Sequence, residues 1–176
     1  MNIRLAQAAD LESVQKIIEA AFPDEESRVI NEFAADLATE TASPPIKSLV
    51  AEVHNQVIGY ASYSPIFLKS ASGISGYILA PLAVSPGHQR QGVGSSLIRS
   101  GIEMLTEDGA GVLLVYGDPN YYGRLGFREE VGHAFIPPYQ LEYPFGWTGM
   151  MLNGNCLPEE PIKFECVAAL SKSVLW

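Results

Sequence analysis

"VSPGHQRQGVGSSLIRSGIEML", from Val84 to Leu105, passes from the end of an apolar run through a glycine-rich turn into an amphipathic segment. Three anion-binding patterns can be laid on it. A phosphate-binding loop requires GxxxxGK followed by serine or threonine. Gly87 to Gly92 has that spacing, but Val93 stands where the lysine belongs. A dinucleotide turn requires GxGxxG. Gly92 and Gly94 fit it, Leu97 takes the third glycine's place, and the turn is not at the first strand of the chain. The third pattern, Q/R-x-x-G-x-G/A between a central strand and a long helix, is matched at every position by Gln89-Arg90-Gln91-Gly92-Val93-Gly94. Its glycines let the main chain approach a ligand closely. Its N–H groups converge at a helix start, where the dipole amounts to roughly half a positive charge. Such a turn suits a pyrophosphate without lysine or metal, and Arg90 adds a charge-assisted contact.

The flanking segments supply the strand and the helix. "GYILAPLAV", 76–84, is apolar on both alternating faces and belongs deep in a sheet. After Gly94, the residues Leu97, Ile98, Gly101, Ile102 and Leu105 fall at helical spacing. "GVLLVYG", 111–117, is a second buried strand; Asp118-Pro119 opens a short helix, "NYYGRL", that Gly126 closes as a left-handed cap. Upstream, "IRLA", 3–6, is a strand. Asp10 then caps a helix carrying Leu11, Val14, Ile17, Ile18 and Ala21, which Pro23 ends. A second helix from about Ser27 bears Val29, Ile30, Phe33 and Leu37, and "TASPP", 41–45, is a loop. "SLVAEV" and "VIGYASYS" flank His54-Asn55-Gln56 as a hairpin. Downstream, "HAFIPPYQLEYPFGW" is rich in proline and aromatics and precedes two late strands in "TGMML" and "FECVAAL". No repeat or long linker divides the chain, so residues 1–176 read as a single α/β (α+β) domain around a mixed sheet.

Bulk composition narrows the function. Apolar residues make up 47% and charged ones 18%, a globular balance. The net charge of −9 argues against nucleic acid, whose binding rests on lysine and arginine neutralising phosphates. No window approaches the length of apolar chain that a membrane helix needs. "MNIRLAQAAD" lacks the basic-then-apolar layout of a signal peptide, so a cytoplasmic location is expected. Cys156 and Cys166 read as ordinary reduced thiols, and no Cys/His cluster points to a metal. His54, His88 and His133 are scattered, as suits structural or solvated roles.

Taken together, Gln89–Gly94 and the downstream Tyr122-Gly123-Arg124-Leu125-Gly126-Phe127 resemble the GNAT N-acetyltransferases. "LAPLAVSPGHQRQGVGSSLI" joined to "GDPNYYGRLGF" resembles in particular the bacterial YhbS-like acetyltransferases. The resemblance covers nearly the whole chain. It implies a central, mixed, mostly antiparallel sheet with a splayed parallel strand pair and flanking helices. It also implies acetyl-CoA as acyl donor, with its pyrophosphate held at Gln89, Arg90, Gln91, Gly92, Val93, Gly94 and Ser95. Pro81, odd in a buried strand, marks an edge or a bulge; one reading is a bulge that merely ends the strand. The other, which the family implies, is that Leu82, Ala83 and Val84 line the cosubstrate, with the Leu82 N–H as the oxyanion donor. Tyr122 is then either the acid that assists the leaving thiolate or an aromatic packed beside the pantetheine. Asn120 either caps the short helix or touches the pantetheine.

The base and the acceptor are less determined. Asp24, Glu25 and Glu26 lie between the first two helices, a region that borders the acceptor in this family, and Glu52 lies on a strand from which it can reach inward; each is either a base or a solvated charge, and ordered water is an alternative route for the proton. Phe135, Tyr139, Tyr143, Phe145 and Trp147 either wall an acceptor cleft or form a satellite core under a long loop. The expected acceptor is a primary amine, on a small molecule or a protein, attacked directly in a ternary complex. A covalent relay through Cys156 is the weaker route. O-acylation, longer acyl donors and a monomeric or homodimeric state stay open. The rival from another class is a non-catalytic acyl-CoA sensor; a nucleotide-binding regulator lacks its lysine or third glycine.

Overall fold

The structure, a computed structural model, describes residues 1–69 and 74–176. Among them, in chain order, are β1 (Asn2–Leu5), α1 (Leu11–Ala21), α2 (Asp24–Thr39), β2 (Lys47–Val53), β3 (Gln56–Leu68), β4 (Gly76–Val84), α3 (Val93–Glu107), β5 (Val112–Tyr116), α4 (Pro119–Gly123), α5 (Glu129–His133), β6 (Phe135–Ile136), β7 (Trp147–Met151) and β8 (Ile162–Cys166). The strands form a mostly antiparallel sheet in the order β1-β2-β3-β4-β5-β7, with β8 added to β3 and β6 to β8. β4 and β5 run parallel, as the resemblance implied; the two-residue pair of β6 with β8 is parallel as well. The chain divides into two compact units, Met1–Tyr63 with Pro81–Gly101, and Ser64–Ala80 with Ile102–Trp176.

In the first unit, β1 and β3 flank β2, both antiparallel to it. His54 and Asn55 both have positive φ, 49° and 62°. That is the two-residue hairpin turn whose twist matches the strands it joins, so Gln56 opens β3 instead of belonging to the loop. Side chains alternate along β3. Tyr60 packs with Val50 and Ala83 against Val14, Ile17 and Ile18 of α1 and Ala34 of α2. Gly59 and Tyr63 meet α3: a Cβ at Gly59 would lie 3.0 Å from Val93 Cγ1, and the Tyr63 ring fills the space a Cβ on Gly101 would need. The Tyr63 hydroxyl donates to the Leu97 carbonyl at 2.9 Å. These two glycines set how closely α3 approaches the strand.

In the second unit, β5 lies between β4 and β7. Residues 112–115 are all buried, as their unbroken apolar run predicts. Trp147 anchors the end of the unit. Its indole N–H donates to the carbonyls of Gly132 and Phe135 at 2.8 and 2.9 Å. Its ring stacks on Phe164 at 6.0 Å and tilts against Trp176 at 5.8 Å.

Several local expectations change. α2 starts at Asp24, not Ser27, so Asp24, Glu25 and Glu26 form its first turn, where negative charge complements the helix dipole. The Asp10 side chain does not cap α1. It accepts from the Gln7 N–H at 2.7 Å and from both terminal nitrogens of Arg4 at 2.7 and 2.9 Å. Only the first part of "FECVAAL" is strand; Ala168–Leu170 is a 3-10 turn.

Candidate active site

The turn quoted at the outset folds in the first unit. Pro86–His88 makes one 3-10 turn after β4, and residues 89–92 then reverse the chain into α3. Arg90 and Gly92 both have left-handed backbones, φ 57° and 85°. A Cβ at Gly92 would meet nothing within 4 Å, so its requirement for glycine is one of backbone conformation and not of space. The Ser96 N–H donates to the Gly92 carbonyl at 2.9 Å. That bond opens the helix ladder, so the amides of Gly92, Val93, Gly94 and Ser95 have no partner within α3. They converge where the helix dipole is positive, and turns of this kind make concavities suited to anions.

The side chains around those amides divide the work. Val93 is buried against Gly59, so its side chain anchors the turn. Gln91 donates to the Gly87 carbonyl at 2.9 Å and Gln89 to the Val84 carbonyl at 3.0 Å. The two glutamines therefore brace the loop from within. Arg90 is exposed. His88, read from the sequence as structural or solvated, buries its Nδ1 beside this turn without a partner among the described residues.

β4 leads into the turn. Its ladder with β5 runs from Gly76↔Val112 to Leu79↔Val115 and stops before Pro81, while the strand continues to Val84. The Ser85 N–H donates to the Ile58 carbonyl of β3 at 2.9 Å. Backbone groups alternate between the two edges of a strand, so the amides of Leu82 and Val84 turn away from β3. Leu82, Ala83 and Val84 thus share a unit with Gln89 to Ser95, and Ala83 is turned into the core under α1.

Asn120 and Tyr122 lie in the second unit. Asp118, not Asn120, caps α4: its carboxylate accepts the Asn120 N–H at 2.9 Å. Asn120 is exposed, and its carbonyl accepts from Arg124 Nε at 2.9 Å. The helix ends in paired bonds from Gly126 N–H to the Gly123 carbonyl and from Phe127 N–H to the Tyr122 carbonyl, with Gly126 at φ 97°. This is a Schellman motif, in which the residue after the left-handed glycine packs on the residue five before it. The Phe127 and Tyr122 rings meet edge to face at 5.6 Å. The Y-x-x-x-G-F spacing is therefore a helix stop that fixes the tyrosine ring. Tyr121 meets the same ring edge to face at 5.1 Å. Burial, with smaller contributions from Tyr121 and Asp118, holds the Tyr122 phenol well above its ordinary pKa.

Gly117 is a residue that sequence reasoning missed. A Cβ there would lie 2.7 Å from Cε2 of Tyr122, and its N–H donates to the Gly146 carbonyl at 3.0 Å. Its place directly before Asp118 was the only available signal.

The remaining candidates separate clearly. Glu52 is tied to Arg4 Nε at 2.9 Å. Asp24, Glu25 and Glu26 are exposed on the first turn of α2. Both cysteines are free; Cys156 is exposed, and burial pushes the Cys166 thiol up to about 12. Of the aromatic stretch, Phe135 and Trp147 are core, whereas Tyr143 and Phe145 are exposed. The satellite-core reading therefore holds for Phe135 and Trp147, and not for Tyr143 and Phe145. Among the described residues no group of three His, Cys, Asp or Glu is placed to hold a metal ion, and no helix is long and apolar enough to cross a membrane.

Comparison with known proteins gives a consistent result. Residues 10–127 match the family described as Acetyltransferase (GNAT) family. YjhQ of Escherichia coli strain K12, named as an uncharacterized N-acetyltransferase, is 35% identical over 112 residues, covering 62% of this chain and 62% of that relative. YhbS of the same strain, also named as an uncharacterized N-acetyltransferase, is 26% identical over 76% of this chain and 77% of its own. Among solved structures, YhbS from Escherichia coli in complex with CoA superposes with a TM-score of 0.76 at 23% identity, over 93% of this chain and 89% of that one. A GNAT family acetyltransferase from Brucella melitensis in complex with acetyl-CoA gives 0.67 at 26% identity, over 96% of each chain.

Proposed function

The chain belongs to the GNAT acetyltransferase family, and from that premise we propose that it transfers an acetyl group from acetyl-CoA to a primary amine by direct attack in a ternary complex. Residues 1–176 act as one catalytic domain in this reading. The observation that carries it is the start of α3, where the amides of Gly92 to Ser95 follow two left-handed residues, Arg90 and Gly92. Those amides and the Arg90 guanidinium hold the pyrophosphate. The bound CoA of YhbS and acetyl-CoA of the Brucella protein support the choice of ligand. Asn120 contacts the pantetheine.

The chemistry follows from the residues. The neutral amine attacks the thioester carbonyl, a C–N bond forms, and the C–S bond breaks with its electron pair leaving on sulfur. The amides of Leu82 and Val84, turned from β3, receive the thioester oxygen and the pantetheine arm. A donor aimed at the developing oxyanion contributes about 3 kcal/mol. Tyr122 is the residue assigned to the departing sulfur. An ordinary phenol is already a weaker acid than a thiol by about 2 kcal/mol of proton transfer, and burial raises this phenol further. Tyr122 therefore acts as a hydrogen-bond donor that strengthens as thiolate character develops, and not as a group that must ionise. The proton of the amine leaves through water: Glu52 is engaged with Arg4, and Asp24, Glu25 and Glu26 are exposed on the first turn of α2.

Release of free CoA over a panel of primary amines tests this reading. Amine-dependent thiol release with one acetylated product per thiol is the expected result. Saturable acetyl-CoA binding with no release on any amine would instead identify a sensor.

A further inference from the structure

The loop from Tyr143 to Gly146 displays two large aromatic rings to solvent, although other aromatic residues of the same stretch are buried. Tyr143 is 54% and Phe145 60% exposed, against 0% for Phe135 and 2% for Trp147. The exposure does not come from a loose loop. The Tyr143 N–H donates to the Tyr116 hydroxyl at 2.7 Å, the Gly146 N–H to the Tyr143 carbonyl at 2.8 Å, and the Gly117 N–H to the Gly146 carbonyl at 3.0 Å. Gly146 is also required by packing, since a Cβ there would lie 2.8 Å from the Gly117 carbonyl oxygen. Gly117 is the residue whose other neighbour is the Tyr122 ring. The aromatic loop is therefore built onto the same end of β5 as Tyr122.

The rings meet edge to face, with centroids 5.9 Å apart, so each leaves a face open. Glu142, exposed and directly before Tyr143, adds a formal negative charge to the same loop. Such a surface attracts a cation through the ring quadrupole and repels an anion. It offers an apolar ligand no use for the carboxylate. Asp118, exposed next to Gly117, adds negative charge at the same end of the strand.

We propose that Tyr143 and Phe145, backed by Glu142, bind the remote positive charge of an acceptor amine carrying at least two cationic groups. The proposal rests on the N-acetyltransferase reading above. Two groups are needed because the reacting nitrogen must be neutral when it attacks, so the charge held on the rings belongs to a different nitrogen. An α,ω-diamine or a longer polycationic amine meets that requirement; a simple alkyl monoamine does not.

The test compares α,ω-diamines of graded length with the monoamines of equal length, at saturating acetyl-CoA, by kcat/KM. The wild-type protein is expected to prefer the best diamine by about ten-fold or more, the range of a cation on an aromatic face. The Tyr143→Ala/Phe145→Ala double variant is expected to bring that ratio down to about two, the statistical factor for two equivalent ends. Tyr143→Phe keeps the ring and most of the preference, and Glu142→Gln reduces it about three-fold. A preference that survives the double variant overturns the proposal. So does a wild-type ratio of about two, or turnover of no amine by a protein that binds acetyl-CoA. A wild-type protein that does not bind acetyl-CoA overturns the acetyltransferase reading itself, and acetyl-CoA titration of every sample separates the two failures.

Discussion

Gly117 and Tyr122 are in contact so close that a single methyl group on the glycine would lie 2.7 Å from Cε2 of the ring. The tyrosine is held on two further sides by Tyr121 and Phe127. Its position is thus determined by a helix stop, by a neighbouring ring and by the missing side chain of Gly117.

Gly117→Ala is expected to move the Tyr122 ring without unfolding the protein. Overpacking of this kind costs about 1–3 kcal/mol. With Tyr122 in the proposed role, kcat falls about ten-fold or more while the acetyl-CoA dissociation constant stays within two-fold. Steady-state kinetics and calorimetry on the same preparation check both. An unaltered kcat means that the ring's position does not matter to the reaction.

Tyr122→Phe keeps every ring contact and removes only the hydroxyl. The expected loss in kcat is about 10²-fold, the lower range for acid assistance. Because the folded phenol lies above its ordinary pKa, the protonated form persists up to at least about pH 10. The wild-type rate is therefore expected to rise with pH as the acceptor loses its proton, with no decline from Tyr122 below that point. A normal rate in the variant assigns Tyr122 to packing alone.

The elements with a strong local pattern were legible before any coordinates. β4 and α3 carry an apolar run or helical spacing, α4 is bounded by Asp118-Pro119 and Gly126, and their positions agree with the structure within a residue or two. α2 was started late because Asp24-Glu25-Glu26 reads as a polar loop, although charge at a helix start is favourable. What escaped was set by partners distant in sequence. Asp10 leaves the capping role because Arg4 claims its carboxylate. Trp147 takes its packing partners from Phe164 and Trp176, so its burial could not be told from the exposure of Phe145 two residues earlier. Gly117 and Gly146 are glycines for reasons of contact, which no local pattern records.

Asp10 gives a stability prediction with a definite sign. The hydrogen bonds from Arg4, and then that from Gln7, hold its carboxyl below the ordinary range against the opposing effect of burial. A depressed folded pKa stabilises the protein at pH values above the unfolded one, and the gain is lost as pH falls through the folded value. Asp10→Asn is expected to cost about 2 kcal/mol at pH 7. It also makes the fall in stability below about pH 4 shallower. Urea midpoints at pH 7 and pH 3 for both proteins measure this, and equal losses between the two pH values would remove Asp10 from the account.

Trp147→Phe removes an indole that serves two carbonyls, those of Gly132 and Phe135. Both are left without that donor inside the second unit. The expected cost is about 2–4 kcal/mol, visible as a lowered urea midpoint.

The most direct test concerns the amides of Gly92 to Ser95. Calorimetric titration with acetyl-CoA is compared with S-acetylpantetheine, which carries the same thioester and lacks the diphosphate. Saturable acetyl-CoA binding, at least about 100-fold tighter than that of S-acetylpantetheine and weakened when Gly92→Ala strains the turn, is the expected result. No saturation by acetyl-CoA at millimolar concentration, or equal affinity for the two thioesters, would contradict it.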